Sequence, residues 1–120
     1  MNITVFRNSQ QTTVSTVTGE WENFISYTNL YSDNKLKHKI GKYSETYSVS
    51  AKGGVYLFKG NACFDDKDKS SVTFGENNIS YPRTIYVDQI ISGYGKYLNK
   101  KGKVKADLGG EIVKYEIKFN

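Results

Sequence analysis

Cysteine, histidine and proline each occur once in this chain of 120 residues, and these scarcities exclude several classes of protein. The single cysteine, Cys63, cannot form a disulfide within the chain, so a small secreted fold held by disulfide bridges is excluded. With one histidine, His38, the chain also lacks the residues for a zinc site of the CxxC type or for a centre built on two histidines. We therefore expect no metal and no cofactor, and the free thiol favours a reducing, cytoplasmic compartment.

Long hydrophobic runs and arginine are scarce as well. No segment approaches the roughly 20 apolar residues of a membrane-spanning helix, and residues 1–20 show neither the cationic start nor the apolar core of a signal peptide. The net charge is +5, but lysine supplies 15 of the 17 basic residues, whereas proteins that bind nucleic acids rely on arginine for contacts with phosphates and bases. We expect neither a membrane span nor a nucleic-acid partner, and the sequence leaves a homo-oligomer open.

What the sequence does contain is a strong alternation of apolar and polar residues, which is typical of β-strands with one buried face. It is clearest near the C-terminus, where Val113, Tyr115 and Ile117 alternate with lysine and glutamate. Residues 103–108 alternate in the same way, and a Gly-Gly pair suited to a tight turn joins the two segments. This pattern predicts a hairpin.

The same alternation predicts about eight or nine strands joined mostly by short turns, and we find no convincing amphipathic helix. Residues 2–7 and 12–18 are predicted to form a hairpin, and residues 35–50 to form one strand with a bulge at Gly41. Sequential hairpins of this number favour closure, because a closed sheet has no exposed edge strands. We therefore predict one all-β domain over residues 1–120, a single antiparallel up-and-down, calycin-like β-barrel, with a two-sheet sandwich as the alternative.

The width of the barrel interior depends on residues 55–64. This predicted strand carries the small residues Gly60 and Ala62 in the middle of its apolar face. Small residues there either make room for large neighbours across the barrel or leave a cavity, and the sequence is compatible with both.

A glycine-rich segment, IISGYGKYLNKKGKVKA at residues 90–106, resembles the strand-turn-strand segment of the allene oxide cyclase and dirigent barrel group. The matching positions are Gly93, Gly95, Tyr97 and Gly102, and the upstream NACFDD resembles a strand of that group that ends in Phe-Asp-Asp. The resemblance covers residues 60–107 and implies an eight-stranded barrel with a cavity along its axis. The group includes cyclases and proteins that steer radical coupling, but the resemblance places no catalytic residue on this chain.

Glu45 is the candidate catalytic residue, because it alternates with Tyr43 and Tyr47. If this face points inward, a carboxylate enters a cavity lined by tyrosines, where it can act as an acid or a base. The alternative places Ser44 and Ser48 inside, but the apolar character of the tyrosine face favours the first arrangement. We predict that Tyr43, Glu45 and Tyr47 bind a ligand.

A second candidate face lies on residues 21–31, where Trp21, Asn23 and Tyr27 lie on one side of the predicted strand. Mixed aromatic and amide side chains suit ligand cavities, which combine shape with a few polar groups, and they also suit carbohydrate surfaces. The structural alternative is a tryptophan that fills the barrel and donates its indole N–H. We predict that these three residues line the ligand cavity as well.

Three functions are compatible with this barrel, and the first is our prediction: binding of a small apolar or aromatic molecule in its cavity. The second is a cofactor-free isomerase or cyclase of the allene oxide cyclase-like type, in which Glu45 or a tyrosine assists proton transfer. The third is a surface module that binds carbohydrate or protein through exposed aromatic rings. Other features favour structural roles: packing for His38, an inert thiol for Cys63 and a solvated face for the lysines of residues 96–105.

Overall fold

Nine β-strands and one turn of 3-10 helix make up the part of the chain that the computed structural model describes, residues 2–53, 55–79 and 85–120. In chain order the strands are β1 (Asn2–Asn8), β2 (Thr12–Thr18), β3 (Trp21–Tyr31), β4 (Lys39–Ser50), β5 (Val55–Phe64), β6 (Ser71–Ile79), β7 (Ile85–Tyr94), β8 (Gly102–Asp107) and β9 (Ile112–Phe119), and the 3-10 turn (Gly95–Tyr97) follows β7. The apolar residues Ile79 and Tyr81 also predict a short strand, which lies mostly outside the described residues. Within the described ranges, no helix has the length and apolar character needed to cross a membrane.

The strands follow one another around a closed barrel. Each strand from β3 to β9 pairs antiparallel with the next, β9 pairs with β1, and β1 meets β3 at the pair Phe6–Tyr31. These eight strands form the predicted antiparallel barrel, and β2 is an additional strand that pairs with the other end of β3, starting at Thr12–Tyr27. The predicted hairpin of residues 2–7 with 12–18 is wrong, because the 11-residue β3 pairs with β1 at one end and with β2 at the other.

The barrel interior holds the apolar face that the alternation predicts. On the hairpin of β8 and β9, Val104, Val113, Tyr115 and Ile117 are at most 2% exposed. Burying one aliphatic side chain of this kind contributes about 1.5–3 kcal/mol to stability. The predicted C-terminal hairpin is confirmed, and its buried face fixes the register of the two strands.

Aromatic rings fill the middle of the interior, and they need Gly60 opposite them. Tyr43 stacks on Tyr115 with ring centroids 4.9 Å apart, and Phe74 lies 5.7 Å from Tyr115. A Cβ atom on Gly60 would lie 2.7 Å from Cζ of Phe74 and 2.8 Å from Oη of Tyr43, which is closer than such atoms pack in proteins. The small residue in β5 therefore makes room for large neighbours, and their rings occupy the space that it leaves.

The glycine-rich segment closes one end of the barrel, which we call the lower end. Tyr97 of the 3-10 turn is 3% exposed, and its ring stacks on Phe119 at 5.2 Å and lies 5.6 Å from Phe64. Gly95 has a φ of 66°, a conformation that glycine adopts without steric strain, so the chain can turn inward after β7. We define the lower interior by its apolar and aromatic side chains: Leu30, Phe64, Val72, Phe74, Tyr97, Ile117 and Phe119.

The predicted strand at residues 35–50 begins later than its alternation indicates. The carboxylate of Asp33 accepts a hydrogen bond from the backbone N–H of His38 at 2.8 Å, and this bond lowers the pKa of Asp33. Leu36 adopts a φ of 56° within the same turn. Because the side chain of Asp33 occupies backbone donors that a ladder would use, β4 begins only at Lys39.

A bulge in β4 confirms the break expected at Gly41. The register between β3 and β4 shifts after the pair Leu30–Gly41, which leaves Ile40 as an extra residue. A Cβ atom on Gly41 would overlap the backbone oxygen of Cys63 on β5. Glycine thus allows β4 and β5 to approach closely at the point where β4 changes register.

Candidate functional site

Toward the upper end, opposite the 3-10 turn, the barrel interior becomes polar. Arg7 on β1, Glu45 on β4 and Asp88 on β7 take inward positions in the two-residue alternation of their strands. Arg7 is 4% exposed and Asp88 is 1% exposed, whereas the side chain of Glu45 is 13% exposed. We define the interior polar cluster as these three residues and the tyrosines that interact with them: Arg7, Tyr43, Glu45, Tyr86, Asp88 and Tyr115.

Arg7 connects the members of the cluster. Its Nε donates a hydrogen bond to Oη of Tyr115 at 2.8 Å, and its Nη1 donates to the backbone oxygen of Asn8 at 2.9 Å. Its Cζ lies 4.9 Å from the centre of the Tyr43 ring, within the range of a cation–π contact. Its Nη2 is 3.6 Å from Oε1 of Glu45, longer than the roughly 2.7–2.9 Å of a charge-assisted hydrogen bond. The Arg7–Glu45 pair is therefore an ion pair without a short charge-assisted hydrogen bond between Nη2 and Oε1.

Burial and neighbouring charges decide the protonation states in the cluster. Burial lowers the pKa of Arg7, but its neighbours Tyr115, Tyr43 and Glu45 raise it by more, so the guanidinium stays charged. Burial raises the pKa of Tyr115 to about 12. Burial is also the main reason why the pKa values of Tyr43 and Tyr86 are raised. The three phenols are therefore neutral near pH 7, so each can donate a hydrogen bond but is a poor base.

Aromatic rings border the cluster on its upper side. Phe24 of β3 and Tyr47 of β4 are directly paired, and their rings stack with centroids 4.9 Å apart and planes 13° apart. Both side chains are half-buried. One inward position further down, Ser26 pairs with Glu45 and shares a hydrogen bond of 2.8 Å with Thr13. Glu45 thus lies between the Phe24–Tyr47 stack and the buried Arg7.

Three of the six residues predicted to bind a ligand share this inner face. Tyr43 is fully buried, Tyr47 is half-buried and Glu45 lies between them along β4. The prediction that the tyrosine face of this strand points inward, rather than the serine face, is confirmed by their pairing with the inward residues of β3. Whether they bind a ligand stays a prediction.

The other three, Trp21, Asn23 and Tyr27, lie on the outer face of β3. Tyr27 pairs with Ser44, on the side of β4 that faces away from the tyrosines. Trp21 and Tyr27 are 39% and 48% exposed, and the side chain of Asn23 accepts a hydrogen bond from Ser48 at 2.7 Å. The expectation that these residues line the barrel cavity is corrected by this placement. The alternation shows which residues share a face, but only the rest of the barrel decides which face turns inward.

Two charged members of the cluster, Arg7 and Asp88, were not among the predicted site residues. Each interrupts an otherwise apolar face of its strand, and a charge on such a face is the signal that points to them. On β7 the signal is weak, because the opposite face carries Ile85 and Val87 and has more apolar residues. That face lies outside, where Ile85 and Val87 are 54% and 52% exposed.

The single histidine and the single cysteine lie apart from the cluster. His38 is exposed in the turn before β4, and Cys63 is a half-buried free thiol on β5. Among the residues that the structure describes, no group of three or more histidine, cysteine, aspartate or glutamate side chains is placed to hold a metal ion. Within the described part of the chain, the titratable groups of the interior polar cluster are carboxylates, phenols and the Arg7 guanidinium.

Comparison with solved structures identifies the same barrel in other proteins. The pterocarpan synthase dirigent protein GePTS1 matches with a TM-score of 0.74 and 15% identity, over 98% of this chain and 84% of that chain. The pterocarpan synthase dirigent protein PsPTS1 matches with a TM-score of 0.73 and 16% identity, over 98% and 92%. Pyocyanin demethylase matches with a TM-score of 0.72 and 16% identity over the whole of both chains. The fold is a dirigent-like barrel.

This result confirms the resemblance indicated by the glycine-rich segment. No protein-family model matches the sequence, and no curated protein matches it. At 15–16% identity the likeness to the solved structures extends to the fold alone. The function of this barrel therefore depends on the residues of its own site.

Proposed function

We propose that the protein binds a small hydroxylated aromatic molecule in the upper interior of the barrel, the part that holds the interior polar cluster and the Phe24–Tyr47 stack. The ligand ring would lie against Phe24 and Tyr47, and its polar group would lie at Arg7 and Glu45. The observation that carries this proposal is the burial of the Arg7–Glu45 ion pair, with 3.6 Å between the charged atoms, beneath an aromatic border.

Stability alone does not account for this ion pair. Removing two charges from water costs several kcal/mol per ion, and well-packed apolar side chains often replace a buried pair without loss of stability. The lower interior shows that this chain builds the rest of its core from side chains such as Phe64, Phe74 and Ile117. Titratable groups with shifted pKa values cluster at functional sites, and this supports a binding role for the interior polar cluster.

The chemistry of the cluster defines the ligand class. The guanidinium of Arg7 can donate to a carbonyl, phenolate or carboxylate oxygen, and the carboxylate of Glu45 can accept a hydrogen bond from a hydroxyl group. Contact between aromatic rings adds roughly 0.5–1.5 kcal/mol of binding free energy beyond that from burying their surface. A planar ring therefore gains the most binding free energy from packing against the Phe24–Tyr47 stack. A hydroxylated aromatic molecule satisfies both parts of the site.

The neighbours in fold support a small-molecule ligand. Two of them are named as pterocarpan synthases and one as a demethylase of pyocyanin, so each name refers to chemistry on a small organic molecule. The ligand of the present chain need not be any of these molecules, since the shared feature is the barrel.

Titration calorimetry with two probes, pyocyanin and p-coumarate, tests the proposal. We expect at least one of them to bind, and Tyr47→Ala to weaken that binding about tenfold, a loss of about 1.4 kcal/mol. The matched control is Tyr94→Ala, which removes a tyrosine that is 62% exposed at the end of β7 and should leave affinity unchanged. Native mass spectrometry of the protein purified from its own host searches in parallel for a retained molecule.

Two results would contradict the proposal. One is that neither probe binds and no molecule is retained after purification. The other is that Tyr47→Ala and Tyr94→Ala bind a probe equally well, which would place the ligand outside the upper interior.

A second candidate function is a cofactor-free isomerase or cyclase, and the position of Glu45 favours it. Besides burial, which is the largest cause, the charge of Glu45 raises the pKa values of Tyr43, Tyr86 and Tyr115. A carboxylate base beside neutral phenol donors provides the parts of general acid–base catalysis. If the bound molecule reacts, Glu45→Gln should lower kcat about 10²–10⁴-fold with a much smaller effect on binding. Recovery of the ligand unchanged after long incubation with the wild type would contradict catalysis and leave the binding function intact.

A further inference from the structure

A groove of about 560 Å³ lies on the outer surface where β1, β2 and β3 part. β1 meets β3 at Phe6–Tyr31, and the pairing of β2 with β3 starts at Thr12–Tyr27. The connection between β1 and β2 therefore passes over the edge of β3 between these two pairs. The volume falls in the range of roughly 300–1,000 Å³ that is typical of small-ligand sites.

The groove combines side-chain amides with aromatic rings. Its lining includes four amides and two tyrosines: Asn8, Gln10, Gln11, Asn29, Tyr27 and Tyr31. Among its described lining residues, Lys42 is the one that carries a charge. This composition differs from the interior polar cluster, which combines a guanidinium with two carboxylates.

Two of the four amides, Gln11 and Asn29, have hydrogen-bonding capacity that the protein itself uses poorly, whereas Oδ1 of Asn8 accepts a hydrogen bond from the backbone N–H of Gln10 at 2.9 Å. The buried Oε1 of Gln11 has no hydrogen-bond partner among the described residues, and Nδ2 of Asn29 reaches Oη of Tyr31 only at 3.5 Å, at the outer limit for such a bond. Leaving a buried acceptor unsatisfied costs about 1–3 kcal/mol. A ligand that donates a hydroxyl hydrogen to Oε1 of Gln11 would recover part of that cost.

The ring of Tyr27 supplies the apolar part of the surface. It is 48% exposed on the outer face of β3, so a ligand can stack on it while its hydroxyl group stays in water. Sugars present one apolar face of C–H groups and a border of hydroxyl groups that both donate and accept. A primary amide offers two donors and one acceptor in one plane, which suits pairs of neighbouring hydroxyl groups.

We propose that this groove binds a saccharide, at a site separate from the ligand site in the barrel interior. A peptide strand fits less well, because the stretch of β3 between the pairs at Tyr27 and Tyr31 spans three residues, and strands usually need about 5–6 residues. A strongly anionic ligand fits less well too, because Lys42 is the single cation among the described lining residues.

Saturation-transfer NMR tests the site with the methyl glycosides of glucose, galactose and N-acetylglucosamine, and with galacturonate as an acidic sugar. We expect transfer to at least one of these probes. Tyr27→Ala should weaken binding about tenfold. Gln10→Ala is the second variant, because the Gln10 side chain is exposed in the turn after β1. Its loss should leave the fold intact and weaken binding several-fold.

Tyr94→Ala is the matched control, since it removes a tyrosine that is 62% exposed on another part of the barrel. Equal binding by Tyr27→Ala, Gln10→Ala and Tyr94→Ala would overturn the proposal, and so would a lack of transfer to every probe at high concentration. Backbone amide shifts supply an independent readout: changes around residues 8–11 and 27–31 support the groove, whereas changes confined to Phe24 and Tyr47 contradict it. Failure here leaves the interior site untouched, because neither variant lies inside the barrel.

Discussion

The lower and upper halves of the barrel interior are built from the same strands but by different means. In the lower interior, Phe74, Tyr97 and Ile117 are at most 3% exposed, and Tyr97 packs between Phe64 and Phe119. In the upper half, a buried guanidinium connects a carboxylate to phenols, and the bordering rings are only half-buried.

The difference separates two tasks within one fold. Apolar side chains in the lower half contribute stability through burial and close packing. Charged side chains in the upper half cost desolvation free energy that their mutual attraction offsets only in part. The packed lower half therefore stabilises the barrel that holds the polar upper half in place. Substitutions in the two halves should change the free energy of unfolding by different amounts.

The largest expected effect is in the lower half. Phe74→Ala removes a ring that is 1% exposed and packs against Tyr43 and Tyr115, so we expect the free energy of unfolding to fall by about 3–5 kcal/mol. Tyr47→Ala, in the half-buried border, should cost clearly less. Ile85→Ala, at a site that is 54% exposed on β7, should change stability by at most about 0.5 kcal/mol. Urea unfolding of the three variants checks the order, and an equal loss for Phe74→Ala and Tyr47→Ala would remove the distinction between the halves.

The next effect is in the upper half, where Arg7→Met leaves Glu45 without its cation and Tyr115 without its donor. We expect the free energy of unfolding to fall by about 3 kcal/mol. A double-mutant cycle with Glu45→Gln should give a coupling free energy of about 1–2 kcal/mol.

The exposed pair Lys114–Glu116 is the control for this cycle. Its charged atoms are closer, at 3.1 Å, but the side chains are 44% and 32% exposed. Solvent screens such pairs, so the corresponding cycle with Lys114→Met and Glu116→Gln should show no measurable coupling. Similar coupling in both cycles would mean that burial does not strengthen the interior pair.

Whether a feature of the fold or of the site could be predicted from the sequence depends on how far apart in the chain the residues that determine it lie. The alternation of Val113, Tyr115 and Ile117 is local, so it predicted the hairpin of β8 and β9 and the closed barrel. The inward tyrosines of β4 followed from the same reasoning. The turn at Asp33 did not, because a side-chain carboxylate takes over backbone donors there.

The site was only half predictable, for a physical reason. Trp21 and Tyr27 form a face as aromatic as a core face, yet the pairing of β3 with β4 turns it outward. Asp88 lies inside because Tyr86, on the same face, is buried against Phe58 of β5. Which face of a strand is buried depends on residues far away in sequence, and a single strand does not contain that information.

A smaller loss of stability is expected from a substitution at Gly60, at the boundary between the two halves. Gly60→Ala adds a methyl group against Phe74 and Tyr43, and overpacking of this kind costs about 1–3 kcal/mol. Gly109→Ala, in the turn between β8 and β9, would meet only the side chain of Asp107 at 3.3 Å and should be nearly neutral. If the loss comes from crowding, Phe74→Leu in the Gly60→Ala background should cost less than Phe74→Leu alone. Additive losses in urea unfolding would show that crowding is not the cause.

The smallest expected change in the free energy of unfolding appears at alkaline pH and comes from the phenols of the upper half. Burial raises the pKa of Tyr115 in the folded protein from 10.0 to about 12. Above pH 10.0 the unfolded chain loses this proton while the folded chain keeps it, so the stabilisation that is present below that pH is lost as the pH rises toward 12. Each such tyrosine should lower the free energy of unfolding by about 1.4 kcal/mol per pH unit in this window. Tyr115→Phe should reduce the slope by that amount, whereas Tyr94→Phe, at an exposed site, should not. Urea unfolding at a series of pH values measures the slopes, and equal slopes for the wild type and Tyr115→Phe would show that the upper interior does not hold this phenol neutral.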